Sequence, residues 1–237
     1  MRILAFETSA KAGSVALLED GRLLAESYCN TGLTHSQTLL TMAQELLKTA
    51  GMTAKDVEAV AVAAGPGSFT GVRIGVAAAK GFSWGAELPC YGVSTLEAMA
   101  RNLGVWSGYV CPVMDARRSQ VYNALFHTDG GKLTRIAADR AISLQELGEE
   151  LKKLPEPIFL VGDGSILCYN TLAEGVSGLV LPPEHRMHQR AAGVALAAWE
   201  QICSGVSGDG KALCPNYLRV SQAERERLAR EQKDKGE

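Results

Sequence analysis

The signals for strands and helices run twice through this chain in one order, and that repetition constrains the fold more than any single motif does. Ile3 to Thr8 and Gly13 to Glu19 read as strands, and Asp20-Gly21 is a turn signal into a third strand, Arg22 to Tyr28. A helix is expected from about Thr34, because Thr34 and Gln37 have capping-box spacing and Leu39, Leu40, Ala43, Leu46, Leu47 and Ala50 fall on one helical face. Gly51 is its stop. Val57 to Ala64 is an unbroken run of small apolar residues, as in a strand buried on both sides. A glycine-rich turn follows, then a helix from about Gly71, the strand Leu88 to Val93, and a helix opened by Ser94 and Glu97.

The second half repeats the order. Strands are expected at Tyr109 to Met114, Val121 to His127 and, after the Asp129-Gly130-Gly131 turn, Lys132 to Ala138. Ser143 and Glu146 cap a helix; Ile158 to Val161 reads as a buried strand. The turn Gly162-Asp163-Gly164, a helix, the strand Leu179 to Leu181 and a long helix to about Cys203 complete the unit. The pattern βββαβαβα, twice, predicts an α/β protein of two lobes. It resembles the duplicated ribonuclease-H-like fold of the actin/Hsp70 type, which holds ligand between its lobes. The expected lobes are residues 1–107 and 108–237, the second ending in an exposed charged helix from Ser221 to Glu237.

At 237 residues the chain exceeds one typical domain of roughly 100 to 200 residues, and 46% hydrophobic residues suffice for sizeable cores. A formal charge of -2 carries no global footprint for nucleic acid or an anionic membrane. The apolar start stops at Glu7, too early for a signal peptide, and no apolar run approaches the roughly 20 residues of a membrane helix. The expectation is therefore a soluble cytoplasmic protein. The six scattered cysteines contain no Cys-x-x-Cys pair and read as reduced thiols.

Gly65-Pro66-Gly67-Ser68-Phe69-Thr70-Gly71-Val72-Arg73-Ile74-Gly75 follows a buried strand and opens a helix. Such a loop suits an anion at the helix start, and equally a tight packing turn. The same eleven residues look like the signature of the TsaB family, also called YeaZ. Ile3 to Ser9 resembles its opening strand, and Gly92-Val93-Ser94-Thr95-Leu96 a later strand-to-helix junction. Asp115-Ala116-Arg117 with Val121-Tyr122 resembles the start of its second lobe, and Pro215-Asn216-Tyr217-Leu218-Arg219 its C-terminal motif.

That resemblance implies a non-catalytic subunit that pairs with a catalytic paralogue, TsaD, and an ATPase, TsaE, to install threonylcarbamoyl on the adenosine beside the tRNA anticodon. It implies a homodimer when alone, tRNA met only through the complex, no cofactor of its own, and ATP or ADP at the partner interface. The two helices from Thr34 and Gly71 would serve both the homodimer and TsaD, with Thr38, Leu39, Met42, Leu46, Val72, Arg73, Val76 and Lys80 as interface residues. A core-facing role in their own lobe is the competing reading of these positions. The catalytic paralogue binds metal through His-x-x-x-His; here His35 is followed four residues on by Leu39, which has no ligand atom. His35 alone reads as a solvated helix-start residue.

Glu7 and Asp115 close the first strand of each half, where fold relatives hold a Mg²⁺-nucleotide, although family members usually have Asp at the Glu7 position. Thr8, Ser9 and Ser14, with Ser68 and Thr70, are the candidates for a phosphate; hydroxyls at strand ends also make local turn bonds. His185 and His188 are expected on one face of a helix start. The tail from Arg219 to Lys235 holds six basic against four acidic residues, a solvated helix or one folded near bound tRNA. The alternative class is an enzyme of the same fold, a nucleotide-dependent phosphotransferase or a metallopeptidase.

Overall fold

The computed structural model describes residues 1–103 and 106–219. The first repeat is β1 (Arg2–Glu7), β2 (Gly13–Glu19), β3 (Arg22–Cys29), α1 (His35–Thr49), β4 (Ala59–Gly65), α2 (Phe69–Gly85), β5 (Cys90–Ser94) and α3 (Thr95–Arg101). The second is β6 (Gly108–Asp115), β7 (Gln120–Asp129), β8 (Lys132–Ser143), α4 (Leu144–Leu151), β9 (Ile158–Val161), α5 (Ser165–Leu172), β10 (Leu179–Val180), α6 (Glu184–Met187) and α7 (Ala191–Cys203). Each makes a five-stranded sheet, ordered β3-β2-β1-β4-β5 and β8-β7-β6-β9-β10. The first three strands of each are antiparallel, and the rest join in parallel, as strand-helix-strand crossovers require. This is the duplicated ribonuclease-H-like, actin-like fold.

Period-two alternation divides each sheet between two cores. On the first sheet Leu4, Phe6, Val15, Leu17, Val60 and Val62 meet α1 and α2. Ile3, Ala5, Ala16, Ala59, Ala61 and Ala63 point the other way, onto Ala191, Val194, Ala195 and Ala198 of α7. The last helix of the second repeat thus covers the first sheet. Its counterpart α3 lays Leu96 and Met99, with Leu103 of the turn that follows, on the second sheet, against Val110, Phe126 and Phe159. On that sheet's far face α4 and α5 pack Leu147, Leu151 and Leu172. Small side chains set the spacing of the central layer: a Cβ on Gly193 of α7 would run into the Ala98 carbonyl of α3.

Local chemistry explains most of the boundaries. Gly51, at φ +70, ends α1. Ser143 and Glu146 form a complete capping box at α4. At α3 only half of that motif forms: Ser94 accepts from the Glu97 amide, while the Glu97 carboxylate pairs with Arg101 and Arg135. Thr34 holds the cap position of α1 without a side-chain cap, and the Gln37 amide bonds its carbonyl instead at 3.0 Å.

Two expectations need correction. The long helix ending at Cys203 is two helices, α6 and α7, interrupted where His188 takes extended backbone and Gln189 is buried on Asp163. His185 and His188 therefore do not share a helix face. β8 runs on to Ser143, because pairing with β7 continues past its bulges. The charged helix expected from Ser221 to Glu237 lies outside the described residues. Among those described, no helix is long and apolar enough to cross a membrane.

Candidate functional site

The loop between β4 and α2 is shaped by two neighbours. One is the end of β1: the Ser68 amide donates to the Ser9 carbonyl at 2.6 Å and the Thr8 hydroxyl to the Gly71 carbonyl at 2.8 Å. A Cβ on Gly67 would stand 2.5 Å from the Ser9 carbonyl oxygen, so helix and strand meet this closely only with glycine there. Ser68 itself caps α2, accepting from the Gly71 amide at 3.2 Å.

The other neighbour is the chain after α7, residues 204–219. Its Asn216 amide donates to the Ala64 carbonyl at 2.6 Å, and a Cβ on Gly65, which sits at φ +118, would strike the Asn216 carbonyl. Tyr217 stacks on Phe69 with ring centroids 4.1 Å apart and 15° between planes. The Arg73 guanidinium lies 4.1 Å from the centre of the Phe69 ring and donates to the Tyr217 hydroxyl at 2.7 Å. Sequence reading noted the glycine loop and the C-terminal motif separately; their contact joins positions too distant for any local pattern to connect.

Between the lobes lies a cavity of about 500 Å³ bordered by Ser9, Lys11, Ser68, Thr70, Asp115, Arg117, Asp163 and Arg219. Of the phosphate candidates, Ser9, Ser68 and Thr70 therefore border the cleft. Thr8 and Ser14 are not part of its lining: the Thr8 hydroxyl is spent on Gly71, and the Ser14 hydroxyl accepts from the Ala191 amide at 2.6 Å at the start of α7. Glu7 is fully buried too. One carboxylate oxygen accepts from the Ser9 amide at 2.6 Å, and burial, with the charge of Asp163 adding to it, pushes the group up to about 7. Asp163 is also raised by burial and accepts from Gln189 at 2.8 Å. Asp115 is exposed and bonds the Arg117 amide at 2.7 Å. Among the described residues no three His, Cys, Asp or Glu side chains gather as metal ligands. Nor is His35 free: its ring bonds the Ala10 carbonyl at 2.8 Å and packs over Gly13, fastening α1 to the first hairpin.

The expected interface residues divide. Leu39, Leu46, Val72 and Val76 are buried in their own core, so they are packing residues. Met42 is half-buried against it, and the Thr38 hydroxyl returns to the Thr34 carbonyl at 3.4 Å. Arg73 is held by Tyr217, and Lys80 donates to the carbonyls of Lys211 at 3.3 Å and Leu213 at 3.0 Å. What faces outward is different: Trp84 is 86% exposed and Leu40 59%, with Ala77 and Gly81 open on α2.

Duplicated sheets, helices exchanged between them and a cleft bordered by the two first hairpins define a protein of the actin-like class. A family model described as TsaD, tRNA N6-adenosine threonylcarbamoyltransferase, matches residues 30–226. The chain is 33% identical over 227 residues to the tRNA threonylcarbamoyladenosine biosynthesis protein TsaB of Bacillus subtilis, covering 94% of this chain and 96% of that protein. With the Escherichia coli protein of the same description it shares 36% identity over 229 residues, 94% of this chain and 96% of the relative. The solved structure of YeaZ from Pseudomonas aeruginosa superposes with a TM-score of 0.74 at 26% identity, over 92% of this chain and 99% of that one. The chain belongs to the TsaB family, also called YeaZ.

Proposed function

We propose that this chain is a non-catalytic scaffold subunit in the synthesis of threonylcarbamoyladenosine in tRNA. It pairs with a TsaD-type catalytic paralogue, works with a TsaE-type ATPase in the cytoplasm, and forms a homodimer when alone. The tRNA is reached through the complex, with ATP or ADP held at the partner interface and no cofactor of its own. The observation that carries this reading is Trp84, 86% exposed on α2, with Leu40, 59% exposed on α1. A tryptophan left in water on a face of small residues is the composition of an interface centre, where Trp is enriched among residues that dominate binding.

The cleft supports the same reading. Glu7, the carboxyl that would have to act on a bound ligand, is sealed from solvent, with one oxygen on the Ser9 amide and the other buried without a hydrogen-bond partner among the described residues. An enzyme of this fold would need that group to reach a substrate or a hydrated cation. Size exclusion of the chain mixed with its paralogue tests the proposal. Co-elution is expected; separate peaks, even with ATP and the ATPase subunit present, would overturn it. Nucleotide turnover by the isolated chain would favour the phosphotransferase reading instead.

A further inference from the structure

Residues 204–219 run without regular secondary structure along one flank of α2, from its last turn to its first. Gly210 lies beside Ser83, Lys80 reaches the carbonyls of Lys211 and Leu213, and Leu213 enters the core of the first lobe. Asn216 then bonds Ala64, Tyr217 stacks on Phe69 under Arg73, and the Arg219 guanidinium donates to the Ala116 carbonyl of the second lobe at 2.7 Å. The strap thus grips α2 at both ends and ties it to the opposite lobe. Leu213 is the one buried side chain among the strap residues 204–219. The outward residues Leu40, Ala77 and Trp84 stay open while the strap is docked.

We infer that residues 204–219 form a clamp that sets the position of α2 for pairing and that opens as a unit while both lobes stay folded. The strap is held by hydrogen bonds through main-chain carbonyls, one ring stack with its Arg73–Tyr217 hydrogen bond, and one buried leucine, against two complete lobe cores behind it. Segments with few buried apolar contacts open below the global unfolding free energy. Since it grips the flank and leaves the outward face bare, its docking orders the pairing helix without competing for it. Phe69, Arg73 and Tyr217 are positioning residues in this arrangement. The inference rests on the α1–α2 face being the pairing surface.

Tyr217→Ala, combined with Arg219→Ala, releases the end of the strap at exposed or half-exposed positions, and Leu213→Ala releases its middle. Hydrogen exchange by mass spectrometry is read on the full chain, and self-association by analytical ultracentrifugation. Exchange in 204–219 and in the first two turns of α2 should rise about tenfold or more, with α7 and the β1 and β4 amides unchanged. Self-association, or pairing with the catalytic paralogue, should weaken about tenfold. Strap amides that exchange only together with the core would overturn the clamp, as would free exchange in the strap with pairing intact. If the unmodified chain pairs with nothing, the proposed function falls, and the exchange measurement alone still shows whether the strap opens as a unit and loosens α2.

Discussion

Glu7 at the end of β1 is fully buried while Asp163 just after β9 is exposed on the cleft, and along this seam between the two sheets burial raises the Glu7 carboxyl and the charge of Asp163 adds to it. The Glu7 carboxyl rises from an ordinary 4.5 to about 7. A group raised in the folded state binds its proton more tightly there than in the unfolded chain, so its contribution to stability is complete below 4.5 and is lost as pH climbs through about 7. The loss amounts to about 3 kcal/mol at most. Urea unfolding at pH 5 and pH 8 should show higher stability at the lower pH, and Glu7→Gln should flatten most of that difference. Equal slopes in the variant and the parent would mean the seam does not carry the pH dependence. The Asp163 carboxyl, also raised, acts in the same sense.

The contact between α3 and α7 sets the distance between the two sheets. Gly193 faces the Ala98 carbonyl so closely that a methyl group has no room. Gly193→Ala should destabilise the fold by about 2 kcal/mol despite the better helix propensity of alanine, because the exchanged helices must part. A drop of about 5 °C in the melting temperature is the expected reading. A gain in stability would show that the helices can slide.

Much of this fold was legible in sequence, and the illegible parts have a common cause. Ile158 to Val161 was legible as a buried strand, and Ser143 with Glu146 as a helix cap, because both depend on neighbours in the chain. The face on which α7 packs was not: Ala191, Val194, Ala195 and Ala198 define a stripe, and a stripe looks the same whichever sheet it covers. The same limit misplaced Leu39, Leu46, Val72 and Val76. Helical periodicity says which residues share a face, but only tertiary packing says which face is inside. The pattern groups Leu40 on one helical face with Leu39 and Leu46, yet the structure buries those two and turns Leu40 outward, as it does Trp84 on α2.

Trp84 separates pairing from folding. At 86% exposure its side chain contributes little to the isolated chain, so Trp84→Ala should change unfolding free energy by less than about 0.5 kcal/mol. If it is an interface anchor, the dissociation constant for self-association or for the catalytic paralogue should rise about 30-fold or more, the effect of losing a hot-spot side chain. Unchanged association by ultracentrifugation would remove Trp84 from the interface.

Ser14 distinguishes a ligand-facing hydroxyl from a structural one. It lies opposite Glu7 across the first hairpin and is fully buried. Its hydroxyl accepts from the Ala191 amide at 2.6 Å, and Glu26 on the neighbouring strand accepts from the Ala192 amide at 3.1 Å. Arg190, at the cap position of α7, makes no side-chain cap of its own, so two strands of the first sheet supply the caps for a helix of the second repeat. Ser14→Ala would leave the Ala191 amide buried without an acceptor, at a cost of about 1 to 2 kcal/mol. The loss should appear as a lower urea midpoint with an unchanged slope, and it should be present with or without added phosphate. Were Ser14 a phosphate contact, the variant would keep the parent's stability in the absence of phosphate and lose only a phosphate-dependent increment. Equal midpoints for variant and parent in phosphate-free buffer would therefore dismiss the capping role assigned to Ser14.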